Sequence, residues 1–266
     1  MTDSFDPASE AAMLADAWQA GTLLSELPAA IRPNTMADGY DIQDRLVARV
    51  DRSVAGWKLG VGSAAQKRQS GVGRSIAGRI FASHLYRAGD TLPLPNIAPV
   101  TVEFEIAYVL ARDVRPDEPD FPILEAVAEI RVALEIVRLR FVDRRAVGWP
   151  SFAADNGAFQ ALVLGDLIPA GHIEALADSL VVSCDGKEVA RRLTGDGVTD
   201  PMAALADLAA IARERAMMLP KGTIVSTGTV SKPFDLAAPS TELRARFLDQ
   251  ELGLRTRVNP GSTRPT

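Results

Sequence analysis

The chain has 266 residues, 47% of them hydrophobic, which suits one large domain or one domain with an appendage. Its 29 basic and 34 acidic residues leave a formal charge of −5, so there is no electrostatic case for nucleic-acid binding. A single cysteine excludes an intrachain disulfide, two histidines exclude a histidine-rich zinc site, and no apolar run approaches the ~20 residues of a membrane span.

The segment Met1-Thr-Asp-Ser-Phe-Asp-Pro7 lacks the basic and apolar regions of a signal peptide, so the cytoplasm is the expected compartment. Asp6-Pro7 reads as a helix cap followed by proline at the first helical position. Residues 8–20 then carry Met13, Leu14, Ala17 and Trp18 near helical spacing, and Gly21 ends the run. A second helix is predicted over 37–51, with Tyr40, Ile42, Leu46, Val47 and Val50 along it. Together they make an N-terminal helical appendage, residues 1–55.

After Gly56 short apolar runs alternate with Gly, Pro and Asp. Strands are predicted at 57–59, 91–94, 102–110, 162–164, 180–183, 223–226 and 243–247. Gly71-Val-Gly-Arg-Ser75 lacks the Gly-Lys-Ser/Thr ending of a phosphate loop and reads as a mobile loop. A helix is expected from Ile123 to Arg131. Another opens at Asp200-Pro201 and runs to Met217, with Met202, Leu205, Leu208 and Ile211 on its inner stripe. Cys184 before Asp185-Gly186 reads as a strand end rather than a nucleophile, and His84 as structural. The body, residues 56–258, is therefore β-rich with inserted helices, an α+β chain, and 259–266 is a frayed tail.

Three carboxylates in strand-like apolar surroundings stand out. Glu103 and Glu105 lie in Val102-Glu-Phe-Glu-Ile106, and a strand puts residues i and i+2 on one face. Glu135 lies in Ala133-Leu-Glu-Ile-Val137, where an unpaired carboxylate is expensive. A hard divalent cation with all-oxygen ligands, Mg²⁺ or Mn²⁺, would neutralise them. The wet face of a half-exposed strand also carries glutamates without a metal. Spacing alone does not bring Glu135 to the other two.

The order and spacing of several fragments give the chain a further meaning. From about residue 10 to 258 it resembles the 2-oxopent-4-enoate hydratase and 4-oxalocrotonate decarboxylase group of the fumarylacetoacetate hydrolase superfamily. The resemblance is carried by Tyr40-Asp-Ile-Gln43, Gly56-Trp-Lys-Leu-Gly60 with Ser63 and Gln66 following, and the two glutamate segments. Ala154-Asp-Asn-Gly157 and Gly222-Thr-Ile-Val-Ser-Thr-Gly-Thr229 complete it. It implies a rolled, mixed β-sheet, one Mg²⁺ or Mn²⁺ held by Glu103, Glu105 and Glu135, and a small 2-oxo acid substrate. Lys58 would hold the substrate carboxylate or, with a pKa lowered by burial, move protons; a lysine snorkelling from a strand is the alternative. Asp155, with Asn156, would orient Lys58 or a water, or serve only as turn chemistry before Gly157. Ser226, Thr227 and Thr229 would bind the substrate carboxylate, with Gln66 and Arg140 as further substrate contacts. Arg140 also fits a partner of the glutamates. Self-association, or a complex with a related pathway enzyme, is implied as well.

Two departures bear on the substrate. The hydratases carry Asp-Ser where this chain has Arg138-Leu139, which would add positive charge beside the metal if residue 138 turns inward. Val198-Thr-Asp-Pro201 replaces a Gly-His-Pro. The expected activity is a hydratase adding water to a 2-oxo-alkenoate in the breakdown of aromatic ring-cleavage products. Decarboxylation of 2-oxo-3-hexenedioate, acylpyruvate hydrolysis with His84 as base, and a non-catalytic partner subunit are the alternatives.

Overall fold

The computed structural model describes residues 6–95, 100–118, 123–143, 146–169, 171–236 and 241–259. The first five residues and the expected tail beyond Asn259 lie outside the described residues.

Two helices open the chain, α1 (Pro7–Ala20) and α2 (Met36–Val50). The Asp6 carboxylate caps α1 by accepting from the Ala8 N–H, and Gly21 closes it in the left-handed conformation. Thr35 and Asp38 form a capping box on α2. Then follow β1 (Val54–Gly60), α3 (Ala64–Ser70), β2 (Ile76–Phe81), β3 (Leu85–Arg87), β4 (Thr91–Leu94) and β5 (Thr101–Leu110). Next come β6 (Val127–Val137), α4 (Gly148–Ala154), β7 (Phe159–Leu167), α5 (Ile173–Ser179), β8 (Val181–Cys184) and β9 (Lys187–Arg191). The chain continues through α6 (Pro201–Glu214), β10 (Ile224–Thr229), β11 (Phe234–Asp235), β12 (Glu242–Phe247) and β13 (Gln250–Val258).

Two mixed sheets form, in an α+β arrangement. The larger runs β2-β1-β10-β5-β6-β7-β3, with β11 on β5; the smaller runs β4-β13-β12-β8-β9. In the larger sheet β1–β10 and β3–β7 are parallel and the other pairs antiparallel.

Alternation along β5 divides its residues between two cores. Val102, Phe104, Ile106 and Tyr108 belong to the main core with Leu134, Ile136 and Val163, and Phe104 meets Phe247 of the smaller sheet at 5.5 Å between ring centroids. A fully buried Phe contributes ~1.5–3 kcal/mol through the water it sheds. Ala107, Ala133, Leu162 and Ile224 lie on the other face, where Val47 of α2 and Trp18 of α1 cover them. Glu103, Glu105 and Glu135 share that second face by strand parity.

The expected helix over 123–131 is a correction. Residues 123–126 make a single 3₁₀ turn, and Val127 to Val137 is a strand pairing with β5 on one side and β7 on the other. Leu124, Glu125, Ala126 and Ala128 favour helix locally, but two ladders of backbone hydrogen bonds and the burial of Val132, Leu134 and Ile136 outweigh that preference. Met202 is also corrected: it is 41% exposed, and only Leu205, Leu208 and Ile211 of the expected stripe are buried. The segment 71–75 is anchored rather than loose. Gly71 caps α3, and the Ser75 N–H and hydroxyl both donate to Asp207 of α6, at 2.8 and 2.7 Å. His84 packs edge-on against Trp18 and Phe81, and burial lowers its pKa, so its surroundings are those of a structural side chain.

Candidate metal centre

The register of β5 against β6 sets Glu103 directly opposite Glu135, and Glu105 opposite Ala133. The i, i+2 pair and the cross-strand acid therefore converge. One carboxylate oxygen from each of Glu103, Glu105 and Glu135 lies within 4.8 Å of the others. Glu105 and Glu135 are fully buried, and Glu103 is half-buried.

Lys58 reaches this cluster from two strands away. Lys58 pairs with Ser226 on β10, and Ser226 pairs with Ala107 on β5. Its ammonium stands 3.0 Å from Glu135 Oε1 and donates to the Gly157 carbonyl at 2.9 Å, with 2% of the side chain exposed. This is no snorkelling lysine. Burial favours the neutral amine, but the charges of Glu135, Glu103 and Glu105 overturn that and raise its pKa. The expectation of a lowered pKa is corrected: the three glutamates favour the ammonium form of Lys58.

Glu105 is oriented from β10. The Ser226 hydroxyl donates to its Oε2 at 2.6 Å, and the Gly228 N–H donates to the same oxygen at 3.0 Å. Gly228 has φ 98°, and a Cβ there would lie 3.0 Å from Thr199 Oγ1, so glycine is required for the N–H to point inward. Burial first, then Glu135 and Glu103, push Glu105 well above the usual carboxylate range. Burial pushes Glu135 up to about 7 against the pull of Lys58.

These residues fit a hard divalent cation. The donor set is all oxygen. Glu105 Oε1 and Glu135 Oε2 are buried without a hydrogen-bond partner, a costly state for carboxylates. Three carboxylates facing one ammonium leave an excess of two negative charges, which one Mg²⁺ or Mn²⁺ would balance.

The other residues expected at the site have partners within the protein. The Thr227 hydroxyl donates to the Ile106 carbonyl and that of Thr229 to the Ser231 carbonyl, at 2.8 and 2.7 Å, so these side chains tie down β10 and its exit. Ser226 contacts a glutamate rather than an open site. Gln66 accepts from the Ser63 N–H in the capping box of α3. Arg140 is fully buried: its guanidinium lies 3.7 Å above the Trp18 ring and donates to the carbonyls of Arg138 and Phe159. Asp155, expected beside Lys58, instead accepts from the Arg140 N–H at 2.8 Å and lies 3.5 Å from its Nε. Burial pushes Asp155 up to about 6. Arg138 turns away from the glutamates and donates to the Gly21 carbonyl at 2.8 Å, binding the end of α1.

Sequence reasoning missed the backbone contributors, the Gly228 N–H and the Gly157 carbonyl. The glycines themselves were the only signal. It also missed that Gly60 lies near the lysine head: a Cβ there would be 3.5 Å from Lys58 Nζ and 3.6 Å from the Phe152 ring.

A mixed-sheet α+β fold with acids gathered from adjacent strands defines a class of carboxylate-centred proteins, and comparison with known proteins narrows it. Residues 64–259 match the family described as Fumarylacetoacetate (FAA) hydrolase C-terminal. The chain is 30% identical over 250 residues to a 2-keto-4-pentenoate hydratase of Paraburkholderia phymatum, covering 91% of this chain and 94% of that one. It is 27% identical over 201 residues to a 4-oxalocrotonate decarboxylase of a Pseudomonas species, covering 74% and 77%. Among solved structures, 4-oxalocrotonate decarboxylase from Pseudomonas putida G7, complexed with magnesium and adipate, matches its fold with a TM-score of 0.81 at 20% identity, over 94% of this chain and 96% of that one. The chain belongs to the fumarylacetoacetate hydrolase family.

Proposed function

We propose that this protein is a divalent-metal-dependent hydratase acting on a small 2-oxo-alkenoate of the 2-hydroxypenta-2,4-dienoate type. The observation that carries the reading is the buried triad of Glu103, Glu105 and Glu135 with the Lys58 ammonium 3.0 Å from Glu135. The hydratase and decarboxylase names of its relatives support the same chemistry.

Glu103, Glu105 and Glu135 would hold Mg²⁺ or Mn²⁺, which when bound supplies Lewis-acid polarisation of a 2-oxo group. Ser226 and the Gly228 N–H keep Glu105 aimed. Lys58 attracts the substrate's anionic end and gives an ammonium proton to C3, the water bonds through its oxygen to C4, and the proton that water sheds returns to the Lys58 amine, so that one H₂O is added across C3 and C4. The product is a 4-hydroxy-2-oxo acid. Among the described residues no helix is long and apolar enough to cross a membrane. We assign the enzyme to the cytoplasm, to the breakdown of aromatic ring-cleavage products, and to a homo-oligomer.

Decarboxylation of 2-oxo-3-hexenedioate is the second reading, favoured by the decarboxylase relative. One assay separates them. The purified protein is given Mg²⁺ or Mn²⁺ with 2-hydroxypenta-2,4-dienoate or 2-oxo-3-hexenedioate, with and without EDTA. Loss of diene absorbance without carbon dioxide marks the hydratase, and gas release marks the decarboxylase. Absence of turnover on either substrate and on acylpyruvates would leave a non-catalytic subunit.

A further inference from the structure

The backbone that receives the Lys58 ammonium is folded the wrong way for L-residues. Asn156, Gly157 and Ala158 are consecutive, with φ of 54°, 60° and 61°. Single left-handed residues are ordinary, but three in a row, with alanine among them, are unfavourable for L-residues. Such a turn persists only when its surroundings over-determine it, and here they do.

On one side the Asn156 amide behaves as a strand partner for the edge of β2: its Oδ1 accepts from the Arg79 N–H at 2.6 Å and its Nδ2 donates to the Arg79 carbonyl at 2.9 Å. On the other side the Ala158 carbonyl accepts from the Arg138 N–H at 2.8 Å, just beyond β6. The Ala158 N–H closes back on the Asp155 carbonyl at 2.9 Å, and the Asp155 carboxylate is fixed by Arg140. The turn is thus tied to β2 at one edge of the sheet and to the chain just after β6.

Its effect falls on Lys58. A Cβ on Gly78 would lie 2.3 Å from the Asn156 carbonyl oxygen and 3.1 Å from Lys58 Cδ, and one on Gly157 would lie 3.3 Å from Lys58 Cδ. The lysine stem therefore runs through a slot with glycine on both walls. At its end the Gly157 carbonyl takes one ammonium proton, leaving the ammonium beside Glu135.

We propose that the left-handed turn 156–158 is the device that positions Lys58, and that Asn156 and Gly157 are positioning residues acting through the Gly157 carbonyl. Asp155 serves the same turn from behind, through its carbonyl and through Arg140. The inference rests on the proposed role of Lys58 in turnover, but its first readout does not.

That readout is acylation of lysines by acetic anhydride, followed by peptide mass spectrometry, with exposed Lys187 and Lys232 as internal references. In the full-length wild type Lys58 is protected. Asn156→Ala and Gly157→Ala are expected to raise Lys58 acylation at least tenfold relative to Lys187, with Mn²⁺ affinity, followed by electron paramagnetic resonance, changed less than threefold. If the wild type turns over a 2-oxo acid, both variants should lower kcat by roughly 10–100-fold, the scale set by misplacing a catalytic group by about 1 Å. The same substitutions added to Lys58→Ala should cause no further loss. Wild-type protection of Lys58 in both variants, or losses that add to those of Lys58→Ala, would overturn the proposal. Should Gly157→Ala not fold, Asn156→Asp decides: it tolerates the left-handed backbone and keeps one bond to Arg79, so acylation intermediate between wild type and Asn156→Ala is expected, and acylation equal to wild type refutes the device. Absence of turnover in the wild type would sink the hydratase reading and leave the acylation test standing.

Discussion

Ser226→Ala separates two roles for one hydroxyl. The sequence places Ser226 among substrate contacts, whereas the structure spends its hydroxyl on Glu105 Oε2 at 2.6 Å, in a fully buried setting. A hydrogen bond to a charged group contributes ~1.5–3 kcal/mol. Glu105 keeps one further donor, the Gly228 N–H at 3.0 Å, so the lower part of that range applies. Loss of ~1.5–2 kcal/mol of ligand orientation corresponds to metal binding weakened roughly 10–30-fold, in line with the effect of removing groups that support metal ligands. Mn²⁺ titration followed by electron paramagnetic resonance measures this directly. At saturating metal, KM for the 2-oxo acid should stay within about twofold of wild type on this reasoning, because uniform substrate binding is untouched. An unchanged metal affinity with a KM raised tenfold would return Ser226 to the substrate and refute the orienting role.

Glu105→Gln removes a ligand charge and should abolish metal binding and turnover together; normal Mn²⁺ titration in that variant would dismantle the centre. Lys58→Ala should retain the metal but lose ~10²–10⁴-fold in turnover, the range of general acid–base contributions, and an unaffected rate would reduce Lys58 to a structural ion-pair partner. The metal-free protein should lose stability as pH rises from about 5 to 8. Glu135, raised to about 7, and Glu105, raised well above the usual carboxylate range, bind protons in the folded state that the unfolded chain has released, so folding is favoured at the lower pH. A bound cation displaces those protons, so the rise in Tm produced by Mg²⁺ should grow with pH; at a hundredfold excess over Kd it reaches ~2.7 kcal/mol, or about 5–11 °C for a chain of this size. A metal-induced rise that shrinks between pH 6 and 8 would contradict the raised carboxylates. Arg140→Ala leaves the buried Asp155 without its cation and should destabilise the fold by ~3–5 kcal/mol, measured by urea denaturation with metal present. A loss under 1 kcal/mol would show that the pair does not hold the turn behind Lys58.

The sequence determined much of this protein through local signals. Asp6-Pro7 and Asp200-Pro201 each open a helix because a carboxylate and a proline fit a helix start whatever surrounds them. The Glu-Phe-Glu alternation made β5 two-faced, and the family resemblance carried Glu135 and Lys58 to the same centre. What local pattern cannot encode is which strands become neighbours. Val127 to Val137 became a strand because β5 and β7 were there to pair with it, and that pairing alone set Glu135 across from Glu103. The orientations of Arg138, Arg140 and Ser226 were likewise decided by the nearest partners in space: the end of α1, the Trp18 ring with Asp155, and Glu105. A buried charge settles wherever a compensating group lies within a few ångströms, and only the packed chain specifies which group that is.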